Sequence, residues 1–189
     1  MDIKEQKKEI RKAVRALKNS IPQEERDVIS VTIQKTLLSM GVFEIPTTIL
    51  LYHALPDEVN TELLLSKLSN RREGNKRIIL PVVEGEYLIL KEYIPEEMGN
   101  GYRNISEPTG NVQIDPSEIE LAIIPGMAFD SECNRMGRGK GFYDRLIPYL
   151  KCSTIGLGFN FQMVDKIPCE EFDKPLDMVI TETEKYKRG

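Results

Sequence analysis

A short basic segment that is rich in glycine carries the clearest chemical signal in the sequence. Three glycines occupy alternate positions, 137, 139 and 141, and three cations lie among them or just before them, namely Arg135, Arg138 and Lys140. Glycine lets backbone N–H groups approach an anion closely, and the neighbouring cations attract the same anion. The pattern predicts a loop that binds phosphate groups.

This glycine loop matches neither of two common nucleotide-binding motifs. Lys140 is followed by Gly141, where a Walker A loop has Ser or Thr, and the spacing is not GxGxxG. A flexible basic surface loop is the alternative. The surroundings favour binding, because the loop joins a strand predicted at 119–124 to a helix predicted over 142–151, and open α/β sheets bind ligands at such junctions.

An acidic residue beside the loop suggests Mg²⁺. Asp144 falls in the first turn of the predicted helix, where an acid also stabilises the helix dipole by about 0.3–1 kcal/mol without any metal. Magnesium commonly takes one or two protein carboxylates and completes its shell with water and phosphate oxygens. Asp177, which begins the strand DMVIT, is the candidate for a second ligand.

Two further groups of residues could contact substrates. Lys7 and Arg11 share a face of a basic helix over 3–18 and could reach a polyphosphate, although such a face is more often solvated or laid on a membrane or nucleic acid. After the first strand, the chain places His53, Asp57, Glu58 and Asn60 near a strand's carboxyl end. We favour a structural role for His53, and no Ser/His/Asp triad can be assembled.

The elements that position these residues alternate along the chain. Strands are predicted at 47–53, 77–83, 87–93, 119–124, 154–158 and 177–181, and helices at 3–18, 22–40, 61–70 and 142–151. This order favours an α/β three-layer sandwich: a mainly parallel central sheet, helices on both faces and an N-terminal helical arm. The second and third strands should form a hairpin, and the aperiodic stretch 95–118 is long enough to be functional.

Composition bounds the class of protein. The 189 residues suit a single domain over 1–189, with 40% hydrophobic residues and a net charge of −4. The apolar runs are far shorter than the roughly 20 residues of a membrane span, and the acidic total argues against a nucleic-acid coat. Three cysteines without CxxC spacing indicate reduced thiols. We expect a soluble, cytoplasmic protein.

The segment NRMGRGKGFYDRLIPYL, residues 134–150, resembles the signature of the 5-formyltetrahydrofolate cyclo-ligase family, also called methenyltetrahydrofolate synthetase. That signature reads approximately GNRLGRGKGYYDRFL. The resemblance extends to KKEIR, PDEVNT, NISEP, AIIPGMAFD, GLGFNFQ and PLDMVITE, in that order along nearly the whole chain.

The resemblance implies an enzyme that uses ATP and Mg²⁺ to convert 5-formyltetrahydrofolate into 5,10-methenyltetrahydrofolate, ADP and phosphate. The formyl oxygen would attack the γ-phosphate, and N10 would then close the ring. It further implies a cytoplasmic monomer whose partners are these small molecules, with no nucleic acid or membrane.

The resemblance also assigns residues to roles. Nucleotide contacts fall on Lys7, Arg11, Arg135, Met136, Gly137, Arg138, Gly139, Lys140, Gly141, Phe142 and Tyr143. Folate contacts fall on Leu55, Asn60 and residues 138–142 (Arg138, Gly139, Lys140, Gly141 and Phe142), with Glu58 added as a polar neighbour. Lys140, Arg138 and Tyr143 are the catalytic candidates, and Asp144 and Asp177 match the magnesium positions.

The chain departs from the family pattern at four positions. Phe142 replaces a usual Tyr, Phe172 a frequent His, Ser106 a Leu, and Asn60 a common acid. Two other functions stay open at this point. A phosphate- or RNA-binding module would use the basic helix and the glycine loop, and another ATP- or sugar-phosphate-using α/β enzyme could share the loop.

Overall fold

A twisted, mainly parallel sheet forms the centre of the computed structural model, which describes residues 2–69, 76–101, 106–171 and 173–189. The helices are α1 (Ile3–Asn19), α2 (Gln23–Ser39), α3 (Glu62–Leu68) and α4 (Phe142–Leu146). The strands are β1 (Thr48–Leu50), β2 (Arg77–Glu84), β3 (Tyr87–Glu92), β4 (Met98–Asn100), β5 (Ser106–Pro108), β6 (Leu121–Pro125), β7 (Ala128–Phe129), β8 (Arg135–Met136), β9 (Ser153–Leu157), β10 (Met178–Ile180) and β11 (Lys185–Lys187).

Within the described residues the main sheet has seven strands in the order β11-β10-β9-β6-β1-β2-β3. The five central strands are parallel, and the pairs at the two edges, β10–β11 and β2–β3, are antiparallel. The predicted α/β class and the predicted hairpin are confirmed. All six predicted strands are present, because buried β-branched runs between helices leave few alternatives.

Two cores cover the two faces of the sheet. On one face α2 and α3 pack through fully buried side chains such as Ile33, Leu37 and Leu65. On the other face α4 packs through Leu146 beside Phe129 of the β7–β8 hairpin. The result is the predicted three-layer sandwich.

The N-terminal helix α1 lies apart from these layers. Its buried Val14 packs against Met127, Met136 and Ile167, so α1 covers the β7–β8 hairpin. Of the predicted N-terminal arm, only α1 stands off the sheet, whereas α2 belongs to a layer. This arrangement brings α1 next to the glycine loop.

Several elements differ from the sequence prediction. The predicted helix over 142–151 is α-helical only to Leu146 and continues as a 3₁₀ turn, Ile147–Tyr149, because Pro148 has no N–H to continue the helical ladder. In its described part, the stretch 95–118 contains the small β4–β5 sheet and two 3₁₀ turns. Asn70 of the third predicted helix, Phe172, and Asn104 and Ile105 of NISEP lie outside the described residues.

Candidate active site

A cleft opens at the carboxyl edge of the sheet between β1 and β6. These neighbouring strands mark the switch in strand order, since the chain moves from β1 towards β2 on one side and from β6 towards β9 on the other. Such a switch leaves a crevice between the two connecting loops, which here are residues 51–61 and 126–141. The fold therefore places the glycine loop opposite the acidic segment after β1.

The cleft is open to solvent. It is bordered by most of the predicted binding residues, namely Leu55, Glu58, Arg135, Gly137, Arg138, Lys140, Gly141, Phe142, Tyr143 and Asp144. Two positions of the glycine loop do not border the cleft. Met136 is buried beneath α1, and Gly139 faces the Arg11 guanidinium, whose carbon lies 3.6 Å from the point that a Cβ on this glycine would occupy.

One wall of the cleft is apolar and was not anticipated. Leu80, Pro81 and Val83 of β2, Leu88 of β3 and Met127 line it. In the sequence these residues are indistinguishable from ordinary core residues, and only the tertiary fold brings them to the cleft. These side chains add an apolar surface to a cleft that is otherwise bordered by charged loops.

The glycine loop has a backbone that side chains would disfavour. Gly139 has φ +98° and Gly141 has φ +70°, both in the left-handed region that glycine adopts readily. Arg145 donates to the carbonyl of Lys140 at 2.9 Å and so braces the loop from α4. The Lys140 side chain itself is exposed at the cleft.

Arg135 anchors the floor of the cleft. Its side chain is only 3% exposed, donates to the Pro125 carbonyl at 3.1 Å and pairs with Asp144. Its guanidinium carbon lies 5.5 Å from the centre of the Tyr143 ring. Burial raises the pKa of Tyr143, and the nearby Glu58 raises it further, so the phenol keeps its proton at neutral pH.

Arg138 crosses the cleft to the loop after β1. It donates to Asp57 at 2.5 Å and to Glu58 at 3.3 Å. Burial alone would raise the pKa of Asp57, but hydrogen bonds from Arg138 and Lys18 outweigh it and lower the pKa to about 2. Burial raises the pKa of Glu58 despite Arg138. The two neighbouring acids therefore have different electrostatic environments.

The two predicted cations of α1 have different partners. Arg11 donates to the Gly137 carbonyl at 3.0 Å, and burial, with a smaller effect of Arg15, lowers its pKa. Lys7 instead pairs with Asp173 at 2.6 Å and Glu170 at 3.0 Å. Burial disfavours the Lys7 ammonium, but these two acids outweigh that effect and raise its pKa. Of these two cations, Arg11 contacts the glycine loop and Lys7 does not.

The structure does not bring Asp177 next to Asp144, the other predicted magnesium ligand. Asp177 lies just before β10, where its carboxylate accepts hydrogen bonds from the Thr154 N–H at 2.8 Å and the Thr154 hydroxyl at 2.9 Å. Thr154 pairs with Ala122, three residues before Pro125, so Asp177 is roughly 10 Å back along the strands from the cleft. A residue that begins a parallel strand lies at the amino edge of the sheet.

Asn60 also lies away from the cleft lining. Its side-chain oxygen accepts from the Glu62 N–H at 2.8 Å at the start of α3, which is a structural use of the amide. His53, which we interpreted as structural, has one ring nitrogen in a hydrogen bond, since Nδ1 lies 2.9 Å from the Ser106 carbonyl oxygen. It nevertheless lines the cleft, as does Ser106.

Comparison with known families agrees with this geometry. A model of the 5-formyltetrahydrofolate cyclo-ligase family matches residues 3–182. The chain belongs to this family. A 5-formyltetrahydrofolate cyclo-ligase of Haemophilus influenzae is 28% identical over 91% of this chain and 95% of that protein. One from Escherichia coli is 32% identical over 71% of this chain and 77% of its own length.

Solved structures of cyclo-ligase relatives share the fold. The NMR structure of Aquifex aeolicus 5,10-methenyltetrahydrofolate synthetase has a TM-score of 0.85 and 31% identity, and the match covers 96% of this chain and 92% of that one. A synthetase structure from Mycoplasma pneumoniae, at 22% identity and a TM-score of 0.74, covers 93% and 98% and supports the fold.

Proposed function

We propose that this cleft catalyses the ATP-dependent conversion of 5-formyltetrahydrofolate into 5,10-methenyltetrahydrofolate, with release of ADP and phosphate. The observation that carries the proposal is the meeting of the basic glycine loop with the acidic loop after β1 across one cleft, in a chain of the cyclo-ligase family. ATP is the co-substrate, as in other members of this ATP-dependent family.

Each side of the cleft binds a different substrate. The glycine loop and Arg11 offer positive charge and open backbone to the triphosphate, with Lys140 free to follow the transferred group. The apolar wall and Leu55 suit the face of a pterin ring, and Glu58 can accept hydrogen bonds from ring N–H groups. Lys7 belongs to an outer part of the nucleotide site, one turn of α1 beyond Arg11.

The reaction requires the formyl oxygen to become a good leaving group, and it does not require a nucleophile from the protein. The formyl oxygen attacks the γ-phosphorus and ADP departs, which converts a poor leaving group into a phosphate ester. N10 then adds to the formyl carbon, loses its proton, and phosphate leaves with the former formyl oxygen. Phosphoryl transfer of this kind depends on positioning and charge neutralisation, which are the roles we assign to Lys140 and Arg138. The protonated Tyr143 hydroxyl can donate to an oxygen that gains charge.

Magnesium fits the cleft through Asp144. The described residues contain no cluster of three or more metal-ligating side chains, so a metal there would depend on one protein carboxylate and on phosphate oxygens. Magnesium commonly binds in that way, and the Asp144 side chain is 25% exposed at the cleft. When bound, the ion would neutralise charge on the triphosphate and orient it. Asp177 has no part in this arrangement.

We also propose that the protein is a monomer with one domain over residues 1–189. It would act in the cytoplasm without nucleic-acid or membrane partners. The three cysteines are unpaired thiols, which suits a reducing compartment. Among the helices described, none has the length and apolar character to cross a bilayer.

The test is an absorbance assay for methenyl-folate with purified protein, 5-formyltetrahydrofolate and ATP. We expect the band to grow only when both substrates are present, and growth to stop when a chelator removes divalent metal. Folded protein that forms no methenyl product would contradict the assigned reaction. Product formed without ATP would contradict the phosphorylation step.

A further inference from the structure

Asp57 lies behind the cleft, at the junction of three elements. One carboxylate oxygen accepts from Arg138 of the glycine loop at 2.5 Å, and the other accepts from Lys18 of α1 at 3.0 Å. Its side chain is 18% exposed and does not border the cleft, whereas its neighbour Glu58 does. Asp57 therefore contacts the substrate-binding machinery without being part of the cleft surface.

The two neighbouring acids hold Arg138 unequally. The Asp57 bond is short, and the two contacts of Arg138 with Glu58 are both 3.3 Å and converge on the same oxygen. The second Glu58 oxygen accepts the Leu55 N–H at 3.0 Å, which fixes the orientation of that carboxylate. Asp57 thus makes the shortest contact with Arg138, from outside the cleft lining, and Glu58 adds two longer contacts from the cleft side.

Lys18 keeps Asp57 in place. With both oxygens bonded to cations from different elements, the Asp57 carboxylate cannot turn without breaking an ion pair. Lys18 lies in the last turn of α1, and Arg11 on the same helix contacts the glycine loop. The position of α1, and with it that of Arg11, is therefore coupled to the position of Arg138.

We propose that Asp57 is a positioning residue that holds the Arg138 guanidinium at the cleft and keeps Glu58 available to the substrate. Without this rear carboxylate, Arg138 would pair fully with Glu58 and move away from the transferred phosphate. The inference rests on the role given to Arg138 in the proposed function. Asp57 would then affect turnover only through Arg138.

The test is a double-mutant cycle of Asp57→Asn with Arg138→Gln, measured as kcat and KM for methenyl-folate formation. A displaced guanidinium costs about 10- to 100-fold in kcat, so we expect a loss of that size for Asp57→Asn in the wild-type background. In the Arg138→Gln background the same change should alter kcat by less than about twofold, since two residues that act as one unit are strongly non-additive.

Two further variants separate positioning from folding. Asp57→Glu keeps the charge and should recover most of the lost kcat. Lys18→Met removes the other partner of Asp57 but leaves its bond to Arg138, so kcat should fall by less than it does for Asp57→Asn. Melting curves establish that each variant is folded, and Asp57→Glu continues the test if Asp57→Asn does not fold.

The outcomes distinguish this inference from the proposed function. An equal loss of kcat on Asp57→Asn in both backgrounds would overturn the positioning role, as would unchanged kcat in the wild-type background. If Arg138→Gln had normal turnover while Asp57→Asn was impaired, the positioning role would also be overturned. The assignment of the cyclo-ligase reaction would then still stand. Failure of the wild-type protein to form methenyl-folate would instead contradict the reaction itself.

Discussion

The acids at the two edges of the sheet have different kinds of partner. At the carboxyl edge, Asp57, Glu58 and Asp144 face arginine guanidinium groups around an open cleft. At the amino edge, Glu120 and Asp177 accept hydrogen bonds from backbone N–H groups and threonine hydroxyls at the starts of neighbouring strands. Amino-edge acids complete the backbone hydrogen bonding of strand starts, whereas carboxyl-edge acids balance cations that a phosphate ligand can also use.

The largest expected effect comes from a lysine at the carboxyl edge. Lys140→Ala should lower turnover about 100- to 1,000-fold, because the ammonium group neutralises charge that develops on the transferred phosphate. Lys187→Ala, at the amino edge beside Met178, is the matched control and should leave turnover unchanged. The measurement is the steady-state rate of methenyl-folate formation by the two folded variants. Similar rates would contradict the assignment of catalysis to the carboxyl edge.

The pH dependence of stability gives the next effect. The folded pKa of Asp57 is about 2, below its ordinary value of 3.8, so its ion pairs contribute about 2 kcal/mol at pH values above 4. That contribution is lost as pH falls from about 4 through 2. Glu58 has the opposite effect. Burial raises its pKa, so the ionised Glu58 carboxylate costs stability at neutral pH, and protonation relieves that cost as the pH falls.

Melting temperatures of wild type and Asp57→Asn between pH 2 and 6 measure this contribution. The gap between the two proteins should be widest above pH 4 and should close towards pH 2. A gap that stays constant with pH would show that the Asp57 carboxylate is not stabilised by its ion pairs.

The two cations of α1 should differ in their importance for ATP. Arg11→Met should raise KM for ATP about tenfold, because Arg11 touches the glycine loop, and one lost charge-assisted contact of this kind has about that effect. Lys7→Met should raise it only two- to threefold, because Lys7 is already committed to Asp173 and Glu170. A larger effect at Lys7 would mean that this ion pair opens when ATP binds.

The smallest effect is a loss of stability at the amino edge. Asp177→Ala removes two hydrogen bonds to Thr154 and should lower the free energy of unfolding by about 1 kcal/mol, with the melting temperature falling about 2–4 °C. Thermal unfolding checks this value. No measurable loss would show that these bonds are replaced by water in the variant.

Local patterns in the sequence were sufficient for most of the architecture. Short β-branched runs located every strand of the parallel core, and glycine spacing located the loop that faces the cleft. The β7–β8 hairpin escaped prediction because each strand has only two residues, and Pro148 shortened α4 more than its apolar pattern indicated. Both differences arise where a strand or helix is too short for periodicity to be visible.

The candidate site was predictable only in part. Residues within the glycine loop are close in sequence, so their proximity in space followed directly. Asp144 and Asp177 lie at opposite edges of one sheet, a separation that strand and helix patterns did not reveal. The apolar wall of the cleft was missed because nothing in the sequence distinguishes an apolar strand residue that faces a cleft from one that faces the core. The Asp57–Arg138 pair joins segments 81 residues apart, which no local spacing indicates.

The most direct measurement compares the turnover of Asp144→Asn with that of Asp177→Asn at saturating 5-formyltetrahydrofolate and ATP over a titration of Mg²⁺. If the chemistry belongs to the carboxyl edge, Asp144→Asn loses most of its turnover and requires more metal, while Asp177→Asn matches the wild type. Loss of turnover in a folded Asp177→Asn variant, with Asp144→Asn unaffected, would contradict the account.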